Sequence, residues 1–197
     1  MLNLPTSRVQ KPTDNTSTSK GNLAKFLSKS GRKVRHTLPD GNCSFRSLFV
    51  NLFNNEDQHV LIRKILVQFE ELNKEKFANY LTASEATNIN DHICSMVKPF
   101  VWGTQVELLA ASSFFQVPVY YCQAFQGTYR WHMLGPVSAT QNLRYPANAD
   151  SLRIQVKHFE LMYQTGVHYD SIVDKSTNRV STTPPSLSVS TSYVEIQ

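Results

Sequence analysis

The chain has 197 residues, 41% hydrophobic and 18% charged, which is enough for one ordinary buried core without disulfide or metal staples. Its three cysteines, Cys43, Cys94 and Cys122, are an odd number with no CxxC, which argues against a disulfide framework or zinc ribbon and favours a reducing, cytoplasmic setting. No apolar run reaches membrane-spanning length and the N-terminus lacks a signal-like apolar stretch, so no membrane partner is expected; the net charge is +5.

Residues 1–21 read as a disordered basic tail, rich in Thr, Ser, Asn and Pro and without periodicity. Residues 1–36 hold eight Lys and Arg against one acid, Asp14, so nucleic acid is a conceivable partner for this arm. No aromatic interleaving or nucleic-acid motif accompanies the charge, which argues against that partner. A folded domain is expected over 22–175. Phe45, Leu48, Phe49, Leu52 and Phe53 fall on one helical stripe, and Ile62, Ile65, Leu66 and Phe69 repeat it within 57–72. A third helix should carry Ile89, Ile93, Met96 and Val97, introduced by Thr82 and Glu85 at capping-box spacing. A fourth should begin at Thr104, with Glu107 three residues on.

Strand patterns follow. "VPVYYC" (117–122) is apolar on both faces, as a central strand is. "TYRWHML" (128–134) and "KHFELMY" (157–163) alternate, and "HYDSIV" (168–173) pairs back after a turn at 164–167. The stretch 135–156 has no readable pattern. Residues 176–197, with Ser or Thr at ten of 22 positions, read as a second tail. Helices followed by strands predict an α+β or three-layer arrangement, with the strand order unspecified.

One short stretch points to chemistry. In "LPDGNCSFRSLF" (38–49), Cys43 stands at the start of the first helix, about 200° from Phe45, so it points off the apolar stripe. A helix N-terminus favours thiolate. Asp40-Gly41-Asn42 forms a tight turn that either presents backbone N–H groups to an oxyanion or is simply a turn with an N-cap. A thiolate nucleophile needs a histidine and a group to orient it. His168 has Asp170 two residues on in a strand, on the same face and about 6.6 Å away between alpha carbons. His158 beside Glu160 is a rival on spacing alone. The remaining histidines and cysteines lack zinc-ligand spacing, which argues against a metal site.

Together "PDGNCSFRSL", "HVLIRKILVQF", "VWGTQVELLAASSFFQVPVYY" and "GVHYDSIV" resemble the ovarian-tumour (OTU) family of cysteine proteases, from about Leu38 to Val173. The resemblance implies a papain-type fold with a small, mainly antiparallel sheet flanked by helices. It implies a thiol-dependent deubiquitinase, without metal or organic cofactor, acting as a monomer on ubiquitin, polyubiquitin or a ubiquitin-like modifier. On matching positions Cys43 corresponds to the nucleophile, His168 to the general base and acid, and Asp170 to the orienting acid, with Asp40 the alternative orienter. Asp40, Gly41 and Asn42 match the loop shaping the oxyanion hole. Trp102 and Gly103 match a structural Trp-Gly, and His158, covered by no motif, is expected at the surface. The alternatives are a catalytically inactive ubiquitin-binding module and a nucleic-acid-associated factor using the basic arm.

Overall fold

The structure, a computed structural model, describes residues 16–82, 86, 88–137, 142–152, 156–164 and 168–187. A five-stranded sheet lies between two layers of helices. In chain order the elements are α1 (Thr16–Ser28), β1 (Arg32–Arg35), α2 (Cys43–Phe53), α3 (His59–Leu72), α4 (Lys74–Phe77), α5 (Ile89–Met96), α6 (Gln105–Phe115), β2 (Val119–Phe125), β3 (Thr128–Leu134), β4 (Phe159–Gln164) and β5 (His168–Asp174). The sheet order is β1-β5-β4-β2-β3, antiparallel except between β2 and β4. The α+β expectation therefore holds, and the strand order is new.

The two faces follow from the strand period of two. Val119 and Tyr121 of β2 and Phe159 and Leu161 of β4 meet Phe45, Ile65, Leu66 and Val106 from α2, α3 and α6. Tyr120, Cys122, Trp131, Met162 and Ile172 point the other way, where Leu27 of α1 covers them. β2 and β3 are joined through Gln126 and Gly127, both at positive φ (47° and 76°), as a type I′ hairpin turn requires. α6 opens as expected, with Thr104 and Glu107 forming a reciprocal capping box.

Several expectations are corrected. α1 begins at Thr16, inside the stretch read as a tail. β1, "RKVR", was not anticipated: three of its four residues are basic, which suits an edge strand but hides it from hydropathy. α5 is capped by Asn88, whose side chain accepts the Asn90 and Asp91 N–H groups, not by Thr82; Glu85 lies outside the described residues. Residues 165–167 of the expected turn also lie outside them. The second tail is not free over its first half. Arg32 donates to the Thr183 carbonyl at 2.5 Å, the Asp174 N–H donates to the Arg179 carbonyl at 2.7 Å, and Leu187 packs against the α1-side core. No described helix is long and apolar enough to cross a membrane.

Candidate active site

Cys43 is the first residue of α2 and only 4% exposed. It points off the apolar stripe, as the helical count requires, yet that side is not open. β5 closes over it, and the Tyr169 N–H donates to Sγ at 3.4 Å. Burial pushes the thiol up from its ordinary 9.0, and the charge of Asp170 adds to this; the backbone N–H groups of Tyr169, Ser44 and Cys43 pull the other way. Burial is the largest of these influences and opposes the thiolate that the helix terminus favours.

His168 opens β5 and lines the same cleft of about 280 Å³ as Cys43. Its Nε2 lies 2.9 Å from Asp170 Oδ1, while its Nδ1 is buried without a hydrogen-bond partner. If Nε2 carries the proton toward the carboxylate, Nδ1 presents a lone pair. Asp170 is wholly buried, as few carboxylates are, and its acceptors are filled. Oδ1 also takes the Thr37 N–H at 2.9 Å, and Oδ2 faces His36 Nδ1 at 3.0 Å and Gln164 Nε2 at 3.4 Å. β1 thus leads His36 and Thr37 directly onto the acid. Sequence reasoning missed both, because β1 itself was not legible. Trp102 stands half-exposed at the rim, and Gly103 leaves room where a Cβ would lie 2.3 Å from Ser44 Oγ.

The loop ahead of Cys43 is held by charge. Asp40 takes Arg46 through two bonds, Nε–Oδ1 at 3.1 Å and Nη2–Oδ2 at 2.6 Å, and also accepts the Asn42 N–H and Nδ2, each at 3.0 Å. The Arg46 guanidinium, foremost, holds the Asp40 carboxyl well below the usual carboxylate range. Asp40 is therefore spent inside its own loop, and Asp170 is the acid that meets His168. The Asn42 N–H is likewise taken, and Asn42 makes no side-chain cap bond to α2. The Tyr169 N–H donates to Sγ, and the N–H groups of Cys43 and Ser44 also favour the thiolate. Gly41 has φ +80°, and a Cβ there would sit 2.1 Å from the Phe100 carbonyl oxygen.

Arg63 fastens this loop to the next. Buried at 4% exposure on α3, it donates to the carbonyls of Gly41 (3.2 Å), Met96 (3.1 Å) and Val101 (2.6 Å) and to Asn42 Oδ1 (2.9 Å). Its guanidinium also lies over the Phe45 ring at 4.1 Å. A charge between Ile62 and Ile65 on the helix stripe was the available signal.

The rival pair is elsewhere. His158 is 2% exposed, not at the surface, and its Nε2 lies 2.9 Å from Glu160 Oε1. Arg32 closes on the same carboxylate with two bonds of 2.7 Å. This trio lies on the α1 side of the sheet and lines no part of the cleft that holds Cys43. Cys122, near it, is pushed up to about 12 by burial. Cys94, on α5, is exposed.

Residues 38–169 match the family model described as OTU-like cysteine protease. The chain is 28% identical over 145 residues to the Arabidopsis thaliana OVARIAN TUMOR DOMAIN-containing deubiquitinating enzyme 7, covering 74% of this chain and 34% of that protein. It is 26% identical over 146 residues to the Homo sapiens OTU domain-containing protein 5, covering 74% and 23%. The chain thus spans about a quarter to a third of the length of the curated relatives it matches. Among solved structures, the OTUD1 OTU domain superposes with a TM-score of 0.61 at 19% identity, over 78% of this chain and 93% of that one. An OTU deubiquitinase from Wolbachia pipientis wMel, bound to ubiquitin, gives 0.53 at 12% identity, over 74% and 98%. By this match, its fold and its cleft, the chain belongs to the OTU-like cysteine protease family.

Proposed function

We propose that this chain is a cysteine-dependent deubiquitinase, cleaving the isopeptide bond after the C-terminal glycine of ubiquitin or a ubiquitin-like modifier. The observation that carries the reading is the convergence of Cys43 and the His168–Asp170 pair on one cleft, with His168 Nε2 taken by the acid and Nδ1 unspent. Solved relatives of this fold are bound to ubiquitin, which supports the choice of partner. His168 Nδ1 takes the Cys43 proton as sulfur attacks the glycine carbonyl carbon, and backbone N–H groups beside Cys43 receive the oxyanion. Collapse expels the lysine amine, which leaves with the proton from His168. Water then hydrolyses the thioester, His168 again acting as base. The steps draw on side chains and backbone N–H groups of this chain and on one water, and the free thiol suits a reducing, cytoplasmic setting.

The burial of Cys43 beneath β5 favours a second reading, a ubiquitin-binding module without turnover. A ubiquitin probe bearing a C-terminal electrophile separates the two. The deubiquitinase reading expects one adduct per chain by intact mass, mapped to Cys43. Binding without an adduct, or an adduct at Cys94 or Cys122, overturns it. Of the basic arm, Arg32 is buried on Glu160 and Arg35 is bonded to Asn54.

A further inference from the structure

Next to the cleft lies a second polar cluster that the proposed chemistry does not use. Glu70 on α3, His92 on α5 and Glu107 on α6 are each at most 1% exposed, and one donor atom from each lies within 4.8 Å of the others. His92 Nε2 is 2.6 Å from Glu107 Oε1, and Glu107 Oε2 takes the Thr104 N–H in the α6 capping box. Glu70 differs from both: its two oxygens are buried and accept no hydrogen bond. Arg63 acts on it through space, but its two terminal nitrogens are committed to Gly41, Asn42, Met96 and Val101, and its Nε, also buried without a partner, makes no hydrogen bond to Glu70. A buried carboxylate without hydrogen bonds, facing a second carboxylate, calls for a positive charge between them.

We propose that Glu70, His92 and Glu107 bind a divalent first-row metal ion, with zinc as the probe, and so tie α3, α5 and α6 together beside the cleft. One imidazole nitrogen and two carboxylate oxygens form a set that zinc accepts, with a water as fourth ligand. Metal–ligand bonds near 2.1 Å put tetrahedral donors about 3.4 Å apart, and rotation of two glutamate side chains closes a 4.8 Å span to that value. The ion replaces the His92–Glu107 hydrogen bond. A dication with two carboxylates and a neutral imidazole is neutral overall, which is the condition for complete burial. The competing occupant is a proton, with Glu70 as a carboxylic acid donating to Glu107. Burial foremost, and then the charge of Glu107, favour that protonated form, but it leaves the second Glu70 oxygen without a partner. The α6 cap, Thr104, and its neighbour Gln105 line the cleft, so the ion would brace the wall beside Cys43.

The test uses the full chain, stripped with a chelator, dialysed and titrated with zinc, and is read by native mass spectrometry and thermal melting. One ion per chain and a melting temperature that climbs with zinc are expected. Glu70→Gln is isosteric and its amide can hydrogen-bond Glu107, so the fold should persist while affinity falls at least about tenfold and the melting shift disappears. Zinc held by Cys43 or Cys94 would bind wild type and Glu70→Gln alike; that result, or no stoichiometric binding, overturns the proposal. Cobalt(II) adds a readout on the wild-type chain alone. Visible bands of a tetrahedral nitrogen–oxygen site support the assignment, and a thiolate charge-transfer band overturns it. Neither measurement depends on peptidase activity.

Discussion

Asp170 and Asp40 are both engaged carboxylates, but only one of them touches a histidine in the cleft. Asp170→Ala removes the acceptor that fixes His168 Nε2 and should lower turnover about 10²–10³-fold, less than the ~10⁴ of a serine triad because a thiol gives up its proton more readily. Asp40→Asn should leave more activity and instead cost about 1 kcal/mol of stability, since the Arg46 pair remains partly open to water. Because the Asp40 carboxyl is held below its ordinary 3.8, its contribution is full above that value and fades as pH falls toward the depressed one. The melting gap between wild type and Asp40→Asn should therefore close in strong acid. Iodoacetamide should label exposed Cys94 before buried Cys43, and the Cys43 rate should rise about tenfold per pH unit while its thiol stays protonated. Peptide mapping after timed quenching checks the order. His168 and Asp170 were legible in the sequence because a strand repeats every two residues. The burial of Cys43 was not, because its cover is Tyr169, 126 residues away.

At the scale of elements, the thiol's loop is only as firm as its ties to α3 and to the stretch around Phe100. Arg63→Met would leave the Gly41, Met96 and Val101 carbonyls and Asn42 Oδ1 without this donor, at an expected cost of about 3–5 kcal/mol. Chemical denaturation measures that loss directly. Gly41→Ala forces a Cβ against the Phe100 carbonyl at a positive φ, so the loop must move and labelling of Cys43 by the ubiquitin probe should fall sharply. Circular dichroism on the same sample separates a shifted loop from an unfolded chain. Elements with local signals were readable, such as the α6 capping box and the α2 and α3 stripes. β1, and the burial of the His158–Glu160 pair with Arg32, were not, since a short basic strand and a buried ion pair both imitate surface in a linear reading.

For the whole molecule, described structure continues past 22–175 at both ends, in α1 from Thr16 and in the contacts of Thr183 and Leu187. Removing 1–15 and 188–197 should leave probe labelling and melting within a few-fold and a few degrees. Removing 176–187 as well strips the Thr183 carbonyl from Arg32 and should cost about 1–3 kcal/mol. Thermal melts of the two truncations side by side decide between a free tail and a strap.

The place of β5 in the sheet bears on how the protein is made. Among the described residues it is the last strand, yet it lies between β1 and β4, and β1 has no other sheet neighbour there. At about 5–20 residues per second, a ribosome needs on the order of ten seconds to pass from Cys43 to Tyr169. Over that interval the emerging polypeptide carries a thiol with no imidazole beside it and two strands with unpaired flanks. Ribosome-stalled chains ending before His168 should be inert toward the ubiquitin probe and should partition into the insoluble fraction, whereas chains released after Leu187 should be soluble and labelled. Synthesis thus completes the Cys43–His168–Asp170 cluster only when nearly the whole domain has been delivered.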